Sequence, residues 1–192
     1  MEEKGFVSIY KDLIKRLVLL LINPTLAWKE AEREGVNQDV FLSNYLLPLM
    51  GVLAIALFIV KGASNSPFSI IEGLKGGAFY FIAIFLTFYI VINLKDTQLA
   101  AYFKEDKGDA YLHLVGFTTL LPTLFGGIAL LNYYLLPIYA FSIMLLPIFS
   151  VKANIECQKM GQKKSHYTML LSLLLLTLPP LFYYILTIIS RV

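Results

Sequence analysis

The sequence predicts an all-α integral membrane protein, with five transmembrane helices preceded by amphipathic helices at the membrane interface. Three observations predict it. The chain of 192 residues is 58% hydrophobic and only 15% charged, where soluble domains carry roughly 25% charged residues, and its mean hydropathy is +0.71. Its charges are missing from long runs: residues 43–60, 76–94, 110–151 and 165–190 hold no Asp, Glu, Lys or Arg. Its basic residues are also shared unequally between the segments that separate those runs.

A hydrocarbon core ~30 Å thick needs about 20 helical residues. Residues 43–61 and 75–95 fit one span each, and 167–190 fits one with some tilt. Run 110–151 would be ~63 Å long as a single helix, so it must fold back. Its polar break is Leu131-Asn132-Tyr133-Tyr134, which gives spans at about 110–131 and 133–151. The chain thus divides into an N-terminal segment, 1–42, and a five-span domain, 43–192.

In the N-terminal segment, Phe6, Ile9, Tyr10, Leu13, Leu17 and Leu20 or Leu21 recur at helical spacing. Ser8, Lys11, Asp12, Lys15 and Arg16 fall mostly on the other side. The pattern predicts an amphipathic helix over 5–22 in the headgroup layer, with a helix packed on the protein's own loops as the alternative. Asn is a preferred N-cap and Pro a preferred first helical residue, so Asn23-Pro24 predicts an elbow and a second helix over 24–34, ending at Gly35. Trp28 lies one turn into that helix, and Trp favours the membrane–water boundary. Asp39 is expected to cap the first span. Lys11, Asp12, Lys15 and Arg16 interrupt the apolar residues and no small-residue cleavage site follows, so no signal peptide is expected.

The spans are rich in proline: Pro48 in the first, Pro122 in the third, Pro137 and Pro147 in the fourth, Pro179 and Pro180 in the fifth. Each removes a helical donor and frees a carbonyl that neighbouring helices, hydroxyls or water must satisfy. The resulting kinks fit either irregular packing, the commoner reason, or a gate. Gly73 and Gly77 have the spacing of small residues at a close helix crossing, a spacing common by chance.

Orientation follows from the basic residues. The N-terminal segment (Lys4, Lys11, Lys15, Arg16, Lys29, Arg33), the second loop (Lys95, Lys104, Lys107) and the fourth loop (Lys152, Lys159, Lys163, Lys164) share one side. Only Lys61, Lys75 and Arg191 of the 16 basic residues fall on the other. The positive-inside rule makes the first side cytoplasmic, so the N-terminus is expected inside and the C-terminus outside. Lys15, Arg16, Lys163 and Lys164 are expected at the lipid interface with Trp28, where a basic side chain near anionic headgroups contributes ~1 kcal/mol.

Reactive chemistry is not evident. No ionisable residue lies deep within a predicted span, where its burial would mark a functional site. His113 and His166 lie near the inner ends of their spans; with Cys157 they form no known metal spacing. The single cysteine excludes an internal disulfide. Glu105, Asp106 and Asp109 suit a solvated loop better than a cation site, and Asp109 suits an N-cap. No nucleophile elbow, metalloprotease motif or phosphate loop occurs. Asn44, Thr87, Asn93, Thr118, Thr119 and Asn132 remain to bond helices together or to line a narrow path. No catalytic site, cofactor or metal is expected, and no nucleic-acid partner.

The arrangement resembles the Yip family, membrane proteins named for interacting with Ypt/Rab GTPases, and its bacterial relatives. The resemblance rests on the apolar-Asn-Pro step with a Trp beyond it (INPTLAW, 22–28), the polar linker to five spans, the Gly-containing turn Lys107-Gly108-Asp109, and the passage GFTTLLPTLFGG (116–127). It implies a five-helix bundle with a cytoplasmic N-terminus in the bacterial cytoplasmic membrane. The long cytoplasmic region and the Asp-Leu-Tyr-Gly-Pro-like stretch of eukaryotic members are absent, so GTPase binding is not implied. Two functional readings follow. One is a non-enzymatic protein that organises or binds partners in the lipid bilayer, whether another membrane protein or further copies of itself. The other is a small channel, transporter or lipid translocator built on proline-kinked helices.

Overall fold

The computed structural model describes residues 6–34, 38–64, 67–94, 120–121, 123–131 and 177–190, with single positions at 134, 137 and 140. Among the described residues every regular element is helical and there is no strand. Helix α1 covers Phe6–Ile22 and α2 covers Pro24–Glu34. Asn23 joins them in two ways. Its N–H donates to the Leu19 carbonyl at 2.8 Å, extending the last turn of α1. Its Oδ1 accepts the Leu26 N–H at 3.1 Å, which makes it the N-cap of α2.

The first long apolar helix is built from α3 (Gln38–Phe41), a π turn (Leu42–Leu46) and α4 (Leu47–Ala63) in unbroken succession. It therefore starts before residue 43, where the uncharged run begins. Asp39 sits inside the first turn rather than at the cap, where its carboxylate still favours the positive end of the helix. The π turn has a local cause. A proline ring clashes with the carbonyl four residues back, and Pro48 lies just beyond this turn. Widening the turn, so that the Leu47 N–H reaches the Leu42 carbonyl, relieves the clash without breaking the helix. A hydroxyl serves the same stretch: Ser43 Oγ donates to the Asp39 carbonyl at 2.7 Å.

Helix α5 (Ile70–Leu94) returns antiparallel to α4. It starts a turn before the predicted residue 75 because Ser69 Oγ accepts the Glu72 N–H at 3.3 Å and Lys75 pairs with Glu72 at 3.2 Å. Both interactions extend the helix past its apolar stretch. Helices Asp39–Ala63 and Ile70–Ile90 are long and apolar enough to cross a membrane by length and composition.

The α4–α5 pair is held close by glycine. A Cβ on Gly77 would lie 2.6 Å from the Ala54 carbonyl oxygen, and one on Gly73 would lie 2.7 Å from that of Phe58. Backbone therefore meets backbone, and the Gly73/Gly77 spacing is a true close crossing. At the far end the Phe68 ring covers Gly62 and meets Phe58 edge-on at 5.9 Å.

Segment 123–131 packs over this hairpin. Tyr80 Oη donates to the Thr123 carbonyl at 2.6 Å in a buried setting, and Gly127 leaves room for Tyr80 and Leu53. Tyr80→Phe should cost about 1–2 kcal/mol, the scale of a buried hydrogen bond, read as a lower unfolding temperature in detergent. The described part of the last predicted span is helical over Thr177–Ile189, and its Tyr183 reaches the same core. The fourth span falls outside the described residues except for single positions, as does the first half of the third.

Candidate functional site

The hydrophobic core does not stop at the hairpin. It runs from Leu53 and Leu57 of α4 through Tyr80, Ile84 and Phe88 of α5 to Phe41, and on to Leu13 and Leu20 of α1 and Ala27 of α2. Phe41 stands at the junction, with its ring 6.0 Å from Phe88 and 6.2 Å from Tyr45. The N-terminal helices are thus docked on the root of the first apolar helix.

The docked face of α1 carries Leu13, Leu20 and, between them, Arg16. This corrects the sequence expectation, which put Arg16 on the polar side of α1 at the lipid interface. Arg16 is only 5% exposed. Its Nη1 donates to the Ala27 carbonyl at 3.2 Å and lies 3.5 Å from Glu30 Oε2. Its Nη2 pairs with Glu34, and its guanidinium lies over the Tyr45 ring, 5.8 Å from the centroid. Glu30 and Glu34 are four apart and share one face of α2. Ala27, one turn earlier, is small and buried, which lets the two helices approach.

A planar guanidinium with five donors suits this arrangement better than an ammonium would. One side chain ties α1 to two turns of α2 and to the π turn of the first apolar helix. Around it lies a polar cleft of about 210 Å³, lined by Asp12, Lys15, Arg16, Leu19, Glu30, Glu34 and Tyr45. Its charged groups carry both signs, so its field is mixed rather than strongly acidic or basic. Among the described residues no group of three or more His, Cys, Asp or Glu side chains gathers as metal ligands.

The other predicted site residues are scattered. Lys15 is exposed at the edge of the cleft, Trp28 lies in α2, and Asn23 and Pro24 form the elbow as expected. Pro48 underlies the π turn, Pro137 is exposed, and Pro179 and Pro180 are partly buried in Thr177–Ile189. Lys163, Lys164, Pro122 and Pro147 fall outside the described residues, as do His113, His166, Cys157 and the acidic loop 105–109. Two polar side chains of α5 are spent on their own helix. Thr87 Oγ1 donates to the Ala83 carbonyl and Asn93 Nδ2 to the Tyr89 carbonyl, each at 2.8 Å.

What sequence reading missed is the Arg16–Glu30–Glu34 clasp. The available signal was the pair of glutamates four apart on a short helix, opposite a helix whose apolar stripe contains one arginine. No family model, curated protein or solved structure matches the chain.

Proposed function

We propose that this chain is a five-span protein of the Yip type in the bacterial cytoplasmic membrane, with its N-terminus inside. In this reading it catalyses no reaction and organises or binds partners in the membrane. The observation that supports the reading best is the clasp. The charged side chains before the first apolar helix form a braced, two-signed surface at the root of that helix. Such a surface is suited to holding a partner in one orientation, and it offers no paired nucleophile and base. The five spans rest on the uncharged runs and on the division of basic residues. Of the polar groups of α5, Thr87 is buried and both it and Asn93 donate within their own helix, which fits packing better than a polar path.

The test is cross-linking mass spectrometry of the full chain in native membranes at natural abundance. Lys15 and Lys29 are expected to link to a stoichiometric partner, either a different membrane protein or a second copy. A solitary monomer that moves ions, solutes or labelled lipid in liposomes would overturn the proposal in favour of transport.

A further inference from the structure

Helix α1 has a second apolar face. The docked side carries Leu13, Arg16 and Leu20, while Val7, Ile14, Val18, Leu21 and Ile22 are exposed. At helical spacing those five residues fall within an arc of roughly 100°, about the width of an apolar stripe that faces a core. The arc lies opposite the docked side. Val7 is 81% exposed and Ile22 78%, whereas Arg16 is 5% exposed. A surface helix in water normally buries its apolar stripe and solvates its cations. Here one arginine is satisfied internally and an apolar strip faces outward. That is the pattern of a helix whose outer surroundings are apolar.

Two further features identify those surroundings. The first is depth. Arg16 rests on Tyr45, two residues inside the uncharged run 43–60, so α1 is held level with the start of the apolar run. The second is charge. Lys11 and Lys15 are both exposed, Lys11 within the strip and Lys15 at its edge, where long basic side chains extend from an apolar surface into a headgroup layer.

We propose that α1 lies on anionic phospholipid through the strip Val7, Ile14, Val18, Leu21 and Ile22, with Lys11 and Lys15 meeting the headgroup phosphates. The lipid-facing side is therefore not the stripe of Leu13, Leu17 and Leu20, which belongs largely to the protein's own core. The clasp and the strip act together. Arg16 fixes the rotation of α1 about its axis, and that rotation turns the strip outward. This inference rests on the reading of the chain as a membrane protein.

The test uses the full chain with Cys157→Ser, reconstituted in phosphatidylcholine vesicles with or without phosphatidylglycerol. Single reporter cysteines at Val18→Cys and Leu21→Cys, and at Ile55→Cys on the exposed side of α4, carry an environment-sensitive fluorophore. Lipid nitroxides at headgroup and mid-chain depth compete with aqueous iodide as quenchers. The expected result is quenching at positions 18 and 21 by the headgroup-depth nitroxide with protection from iodide, and mid-chain quenching at 55. Charge reversal by Lys11→Glu with Lys15→Glu should reduce lipid quenching at 18 in the anionic vesicles and leave the neutral vesicles unchanged.

Iodide quenching at 18 and 21 with lipid quenching at 55 would overturn the docking and leave the membrane reading standing. Protection of 18 and 21 from both quenchers would mean that protein, a partner or a second copy, covers the strip, and would also overturn it. Iodide quenching at 55 as well would remove the membrane reading itself. Charge reversal without effect would remove the anionic-lipid part of the proposal.

Discussion

Arg16→Met is expected to release α1 and α2 from the first apolar helix at a cost of about 2–3 kcal/mol. Breaking a fully buried ion pair by removing one partner costs about 3–5 kcal/mol, because the remaining charge stays buried. The remaining charges here are Glu30 and Glu34, whose side chains are 35% and 45% exposed. Water can partly solvate them, which lowers the cost. Loss of the bond to the Ala27 carbonyl and of the contact with Tyr45 adds to it. Methionine keeps much of the aliphatic stem, so the variant reports the guanidinium rather than a cavity. Hydrogen exchange should show the change locally, with amides of Phe6–Glu34 exchanging faster while those of α4 and α5 keep their protection. A double-mutant cycle with Glu34→Gln should give a coupling of about 0.5–3 kcal/mol, the range for directly interacting residues. Additive effects would mean that the pair does not hold the clasp.

Gly77→Leu should act on the other half of the fold. Its Cβ alone would stand 2.6 Å from the Ala54 carbonyl oxygen, and a backbone oxygen has no rotamer by which to escape. The helices must separate, which costs about 1–3 kcal/mol for an overpacked contact and occasionally more. Better helix propensity recovers up to about 1 kcal/mol of that. Gly51 is the internal control. A Cβ there meets nothing within 4 Å, so Gly51→Ala should be neutral or stabilising by about 0.5–1 kcal/mol. The diagnostic result is a loss of stability at Gly77 with none at Gly51 in thermal unfolding of the detergent-solubilised protein. Effects of equal size and sign at both would show that the close approach at Gly77 does not limit stability.

Local signals in the sequence were reliable where the cause was local. The elbow at Asn23-Pro24, the helix at Pro24–Glu34 and the amphipathic helix at Phe6–Ile22 were all legible, because capping and periodicity act within a few residues. The two long apolar helices were legible from length and the absence of charge. Their starts were less so, since Ser69 and Glu72 extend α5 by polar interactions that an apolar count does not register. The π turn was hidden because Pro48 predicts a distortion without specifying its form.

The orientation of α1 was the substantive miss. A helix with apolar residues on two faces has no unique inward side by periodicity, and its longer stripe suits lipid or a packing surface on the protein's own loops. The choice is made by Arg16, whose partners lie 14 and 18 residues further along the chain. Pairing at that separation leaves no regular spacing to read. Gly73 and Gly77 carried a spacing too common to weigh alone, and only the opposing carbonyls of Ala54 and Phe58 give it meaning.

The proposed odd number of spans, with the clasp on the cytoplasmic side, can be tested by cysteine accessibility in intact cells. Single cysteines at Lys29, Ser64, Lys107, Lys163 and Arg191, each in the Cys157→Ser background, would be exposed to a membrane-impermeant maleimide before and after permeabilisation. Positions 64 and 191 are expected to react in intact cells, and 29, 107 and 163 only once the membrane is opened. Reaction of 107 or 163 in intact cells, or the same sidedness at 29 and 64 or at 163 and 191, would overturn the proposed topology.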